Sequence, residues 1–349
     1  MIKRPKKWRL TQKRARLLIT LGLFVLLILV FSGVNDSFFT SKNINLMLRE
    51  AAPVGIIAVG MTFVIITGGI DLSVGSTLAL TAMLCANMLR YSDIPTVPAV
   101  ILSLLAGSLC GFLNGFTITK LKLPDFIVAL AAMNVYRGLT KMISRNDLAS
   151  ISDSMIKNEA FKALSGKIGP VYISVWVFFL AAIVGYVLLN HTKTGLYTFA
   201  VGSSERSATL SGVSSAKVKI FAYTLTGFLA GLAGVLISAR MMTATTVTGE
   251  GMEFNVIASV VVGGTSLAGG RGSIAGSVLG ALAYVALYML KTFVAGQLID
   301  GLTLDAVTAK MLTKLPGSLM NAVFAFIVAP ILLGALKPAL KKAGLYEKL

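Results

Sequence analysis

Residues 51–90 read AAPVGIIAVGMTFVIITGGIDLSVGSTLALTAMLCANMLR. Two apolar runs, 51–67 and 72–90, are joined by Gly68-Gly69-Ile70-Asp71, and Asp71 and Arg90 are the only charged side chains in the stretch. A bilayer helix takes roughly 20 mainly apolar residues. Each run therefore reads as a membrane span, with the glycine pair marking a tight turn between them.

The rest of the chain extends the pattern. Of 349 residues, 56% are apolar and 13% charged, and the mean hydropathy is +0.83. Soluble domains sit near about 25% charged, so the polar surface for a water-soluble fold of this length is missing. The same figures exclude a collagen, a disordered tail and a disulfide-rich secreted domain. Apolar runs bounded by Gly, Pro or charge give ten spans, at about 17–34, 51–67, 72–90, 96–118, 125–143, 170–190, 218–239, 253–268, 273–294 and 317–336. The expected fold is an all-α polytopic membrane protein. A basic tail, 1–16, precedes a single transmembrane domain, 17–336, which contains a polar loop, 191–217, and a second tail follows at 337–349.

The formal charge of +18 does not point to nucleic acid, because the basic residues are not gathered on a soluble domain with interleaved aromatics. Eight of them lie in the first sixteen residues, directly before an apolar run, which is a cytoplasmic topology signal. A signal peptide is the alternative, but Ser32-Gly33-Val34-Asn35 offers no clear cleavage site, which favours an uncleaved first span. With ten spans and the N-terminus inside, 19 of the 32 Lys and Arg fall on the cytoplasmic side, as the positive-inside rule asks. Both termini are then cytoplasmic. The 191–217 loop shares that side, and 144–169 forms an outer loop.

Chemistry-bearing residues are sparse. Cys85 and Cys110 lie within apolar runs, where a thiol behaves as a small hydrophobe, and His191 stands alone. Neither metal nor thiol chemistry is expected. The stretch 264–271 lacks the Lys-Ser/Thr pair of a phosphate loop, so any driving nucleotide belongs to another chain. Asp71, with Ser73 two residues on, reads either as an Asx-type turn opening the third span or as a substrate contact, the structural role being preferred. Asn114, Asn134, Thr62 and Thr67 suit a hydrated pathway and equally suit helix–helix bonding. Arg137 and Lys141, four apart, are expected to snorkel outward. Three glycine stripes, at 107/111/115, 227/231 and 272/276/280, suit close helix packing within the chain in preference to a seam between two copies. Within the inner loop, 203–210 can make two helical turns, either as a docking element or as a plain connector.

Several of these pieces resemble the membrane permeases of ribose-type bacterial ABC importers. The resemblance lies in GIIAVGMTFVIITGGIDLSVGSTLAL (55–80), LNGF (113–116), PDFIVAL (124–130) and RGL (137–139). It continues in GSSERSATLSGV (202–213) and FNVIASVVVGGTSLAGGRGSIAGSVLGAL (254–282), in the family's order across most of 45–295. Asp125 departs from the pattern, as do the segments 144–169 and 296–320. The resemblance implies an architecture like that of the vitamin B12 importer and a second copy or related permease in the bilayer. It also implies a cytoplasmic ATPase that holds ATP and Mg, and a periplasmic or lipid-anchored sugar-binding protein. No cofactor is expected on this chain. Gly202, Glu205, Arg206 and Gly212 would then belong to the helix that couples to the ATPase. Asp71, Ser73, Asn114 and Asn134 would line the pathway or its gate, and the cargo would be a pentose or hexose. A nucleoside, a sugar-like signal or a branched-chain amino acid would suit the same machinery. An ion-coupled carrier and a non-transporting scaffold are the readings of other classes.

Overall fold

The computed structural model describes Gly22 and residues 40–92, 94–144 and 158–294. The expected spans at 17–34 and 317–336 and both tails lie outside the described residues, apart from Gly22. Among the described residues eleven helices follow in order. They are α1 (Ser41–Ile66), α2 (Val74–Tyr91), α3 (Thr96–Leu121), α4 (Asp125–Ile143), α5 (Glu159–Ala163), α6 (Ile173–His191), α7 (Lys193–Ser203), α8 (Glu205–Leu210), α9 (Ser215–Met241), α10 (Met252–Val262) and α11 (Ile274–Val294). A two-stranded antiparallel hairpin, β1 (Lys167–Ile168) and β2 (Val171–Tyr172), leads into α6, with Lys167 opposite Tyr172. Five helices among the described residues, α1, α3, α4, α6 and α9, are long and apolar enough to cross a membrane.

Helices α1 and α9 form the centre. From Ala51 to Ile66, α1 is buried all round, and its Ile56, Ile57, Phe63 and Ile65 join Tyr223, Ala230 and Ala233 of α9 in one apolar cluster. By contrast α3, α4 and α6 leave one face open, with Leu105, Ile127 and Leu180 outward, as the apolar surface of a bilayer-embedded protein must be. Glycines set the closest approach. A Cβ on Gly107 would lie 2.5 Å from the Gly227 carbonyl oxygen and 3.1 Å from the Gly231 Cα, so the first two glycine stripes pack on each other within one chain. Two glycines of the third stripe seat α11 against α10, Gly276 at the Gly263 carbonyl and Gly280 at that of Ser259, while Gly272, ahead of α11, meets the Ile66 side chain.

Two ion-pair and hydrogen-bond levels fix the ends of this core. Arg240 pairs with Glu50 at 2.7 Å, and Tyr223 donates to Asp125 Oδ2 at 3.1 Å. Along α9 these levels are about 26 Å apart at 1.5 Å per residue, close to the thickness of the hydrocarbon core. We call the end with Tyr223 proximal and the end with Arg240 distal.

Helices α2 and α10 are set apart by irregular backbone beside them. Eighteen-residue α2 begins only after a non-helical stretch, 67–73, and α10 has 11 residues, about 16 Å. Non-helical stretches at 242–251 and 263–273 flank α10. Irregular backbone at membrane depth is stable only where protein or a wet cavity satisfies it. Those three stretches are therefore where chemistry concentrates.

Candidate functional site

The first stretch turns at Gly68, which is exposed with φ +85°, and then runs inward to Ser73. Asp71 and Ser73 are each 1% exposed. The Asp71 carboxylate accepts from the Ser73 N–H at 2.8 Å and from its hydroxyl at 2.7 Å. This is the Asx-type turn read from the sequence, and it sets the direction of α2.

Asn114 of α3 donates to Ser73 Oγ at 2.8 Å. The Tyr136 hydroxyl of α4 lies 2.8 Å from Asn114 Oδ1 and 2.9 Å from the Cys110 carbonyl. Asn114 stands seven residues before the end of α3, so this group sits about 10 Å in from the proximal end. Four polar side chains from α3, α4 and the 67–73 turn thus meet inside the bundle. Asn134 does not join them: it lies on the outward side of α4 and caps the Leu130 carbonyl at 2.9 Å. Thr67 bonds Val64 of its own helix, and Thr62 meets Ser277 of α11 at 2.7 Å, a helix–helix bond. Tyr136 is the member that sequence reasoning missed, because a tyrosine in an apolar run looks like any membrane aromatic.

The proximal end carries the second group. The Gly270 N–H donates to the Ile66 carbonyl at 2.9 Å, joining the 263–273 stretch to the end of α1. Gly202, near the end of α7, lies against both: a Cβ there would collide with the Ile66 carbonyl and come within 2.6 Å of the Gly270 nitrogen. Beyond Gly202 comes α8, capped by the Ser204 hydroxyl on the Ser207 N–H at 3.2 Å. It closes at Gly212, φ +82°, in the left-handed conformation a side chain resists, while the Val213 N–H returns to the Ala208 carbonyl at 3.0 Å. Only Ala208 of α8 is buried, and Glu205, Arg206 and Leu210 are exposed. Glu205 sits in the first turn of α8, where the helix dipole favours an anion, and pairs with Lys219 at 3.3 Å. A cleft of about 240 Å³ opens beside it, lined by Thr119, Lys122, Asp125, Glu205 and Lys219.

On the distal side Arg137 does not snorkel outward. Its Nη1 turns in and donates to the carbonyls of Thr246 and Thr248, at 2.7 and 2.9 Å. Cys85 and Cys110 are both free and buried.

Long apolar helices interrupted by non-helical turns, with polar side chains buried at one break and a surface helix seated against the turns, mark an all-α polytopic membrane protein. The sequence comparisons name its family. Residues 43–328 match the model described as branched-chain amino acid transport system / permease component. The ribose import permease of Bacillus subtilis is 42% identical over 264 residues, covering 75% of this chain and 80% of the relative. That of Escherichia coli K12 is 36% identical over 279 residues, covering 79% and 84%. The fructose import permease of Bifidobacterium longum is 34% identical over 293 residues, covering 80% and 84%. No solved structure is a significant match to the chain. The chain belongs to the family of sugar-importing ABC transporter permeases, and is a multi-pass translocating subunit.

Proposed function

We propose that this chain translocates a monosaccharide, a pentose or hexose, delivered by an extracytoplasmic binding protein and driven by a separate cytoplasmic ATPase. The proximal end is the cytoplasmic one, as the Lys and Arg count favours, and both termini share that side. Helix α8 docks on the ATPase, which holds ATP and Mg, while this chain binds no cofactor. A second permease copy or a related permease completes the membrane part, in an arrangement like that of the vitamin B12 importer. Asp71, Ser73 and Asn114 border the pathway at its break. Asn134, which lies outside that group, is given no part in it.

One observation carries this reading: Gly202 abuts both Ile66 and Gly270. Any displacement of exposed α8, passed on through α7, therefore reaches the two turns that interrupt the spans. A partner whose closure is driven by ATP would bias a two-state element at the point where the path is broken. Sugar is favoured over a branched-chain amino acid because the ribose and fructose import permeases are the relatives this chain resembles.

The test is a mild-detergent pull-down of the tagged chain from native membranes, followed by uptake assays with labelled ribose and fructose. An ATPase carrying a phosphate loop should co-purify, and vanadate should stop uptake. No ATPase after crosslinking, with uptake collapsed directly by an uncoupler, would replace this reading with an ion-coupled carrier.

A further inference from the structure

We infer that the segment 243–251 closes the pathway on its distal side, and that Arg137 is the positioning residue that holds it closed. The inference rests on the transport reading above. Helix α10, about 16 Å long, covers only half of a hydrocarbon core of roughly 30 Å. The chain between the end of α9 and the start of α10 spans the rest of the depth in single turns and not as a continuous helix. It leaves the distal level, where Arg240 meets Glu50, and returns inward to α2. A Cβ on Gly249 would lie 2.8 Å from the Gly75 carbonyl oxygen and 2.9 Å from Leu78 Cδ2. Gly75 is two residues beyond Ser73, so the segment sits directly over the break that holds Asp71, Ser73 and Asn114. Leu78 beneath it is fully buried.

Backbone N–H groups meet the carbonyls of Thr245, Val247 and Gly249, those of Thr246 and Thr248 fall to a side chain, and an unsatisfied group costs several kcal/mol in a bilayer. Arg137 lies six residues from the distal end of α4, about 9 Å along the helix. Its one nitrogen serves both the Thr246 and Thr248 carbonyls. The segment is also tied within itself: the Thr245 N–H donates to Thr248 Oγ1 at 3.1 Å, and the two hydroxyls meet at 2.9 Å. Glu250 and buried Glu253 flank the guanidinium and keep its charge compensated. An arginine at membrane depth is expensive, and its position here is spent on loop carbonyls. Two hydrogen bonds from a single side chain can be broken and remade with α4, α9 and α10 intact. That is what a closure needs and a permanent packing contact does not.

The test uses the full chain in detergent micelles, where both ends are open to reagent. A cysteine is placed under the segment by Leu78→Cys in a Cys85→Ala, Cys110→Ala background. Its labelling rate by a charged methanethiosulfonate is then read as a mass shift. With Arg137 present the thiol should react slowly. Arg137→Gln should speed it about tenfold or more, as two bonds to a charged group are lost. Arg137→Lys, which keeps the charge on one donor nitrogen but loses the planar fork, should fall between. Thr248→Ala, which leaves Arg137 in place and frees the segment from within, should also raise the rate. Cys110, buried between α3 and α4 and tested in a Cys85→Ala chain, should stay protected in every variant. An unchanged rate at position 78, or equal exposure of Cys110, would overturn the closure. Failure of the transport reading appears separately, as absent sugar uptake by the native chain with the labelling result unaffected.

Discussion

The main-chain N–H of Gly270 donates to the carbonyl of Ile66 at 2.9 Å, joining two helix breaks that lie about two hundred residues apart in sequence. Since Gly202 rests on the same pair, three glycine-bearing segments share one junction with no side chain between them.

A side chain at position 202 has nowhere to go, because its neighbours are backbone atoms that cannot rotate away. Gly202→Val should cost about 1–3 kcal/mol through overpacking and should push α7 off the junction. Uptake should fall to background with the chain still membrane-inserted and monodisperse. Ser203→Ala alters the adjacent side chain without adding bulk and should transport normally. Native uptake by the valine variant would separate the junction from transport.

Asn114 sits between Ser73 and Tyr136, so its removal takes a hydrogen bond from a buried hydroxyl on each side and leaves Ser73 only Asp71 and Tyr136 only the Cys110 carbonyl. Asn114→Ala should destabilise the chain by about 1–3 kcal/mol, read as a fall in Tm in detergent. Tyr136→Phe should cost less, since it removes one hydroxyl from Asn114 Oδ1 and the Cys110 carbonyl and leaves the Asn114–Ser73 bond in place. The double variant should be less harmful than the sum of the two, because both changes break the same hydrogen bond. Strict additivity would mean that Asn114 and Tyr136 do not act as one network.

These residues show how far the sequence could be read. Apolar run length and glycine punctuation placed eight expected spans on helices in the same order, because bilayer thickness constrains length directly. Boundaries moved where tertiary contacts took over: α1 begins at Ser41, and α2 waits until Val74, after the Asp71 turn. Asn114 and Asn134 are the same residue type in similar apolar surroundings, yet only Asn114 faces Ser73. Which face of a helix turns inward depends on partners 41 residues away, and an evenly apolar helix carries no amphipathic signal to say so. Arg137 was expected at the surface because an isolated helix offers it no acceptor. The 243–251 carbonyls that receive it belong to a stretch whose depth only the fold decides.

Glu205 and Lys219 form an exposed pair at 3.3 Å, and such pairs contribute only about 0–1 kcal/mol. Glu205→Arg should therefore leave Tm almost unchanged. If α8 is the docking helix, the same variant should abolish uptake and ATPase co-purification. The charge swap, Glu205→Lys with Lys219→Glu, restores the pair inside the chain but not the surface a partner meets. Uptake should stay lost in the swap. Its recovery would assign Glu205 to internal pairing and not to docking.

The Glu50–Arg240 pair behaves differently. Both side chains are about four-fifths buried, and the link crosses from α1 to α9 at the distal level. Removing one partner leaves a charge in a site poor in water, and bonds to charged groups are worth about 1.5–3 kcal/mol. Arg240→Met should therefore lower Tm clearly, by more than Glu205→Arg. The strain should fall on the distal half of α9 and on the segment that follows it. Glu50→Gln keeps a hydrogen-bond acceptor for the guanidinium and should lower Tm by less than Arg240→Met. Reversing the pair, Glu50→Arg with Arg240→Glu, should recover more than either single change if the electrostatic link is what joins the helices. Measured in micelles, these effects require no transport partner. If the reversed pair is no better than the worse single variant, packing around Arg240 and not its charge holds the distal end together.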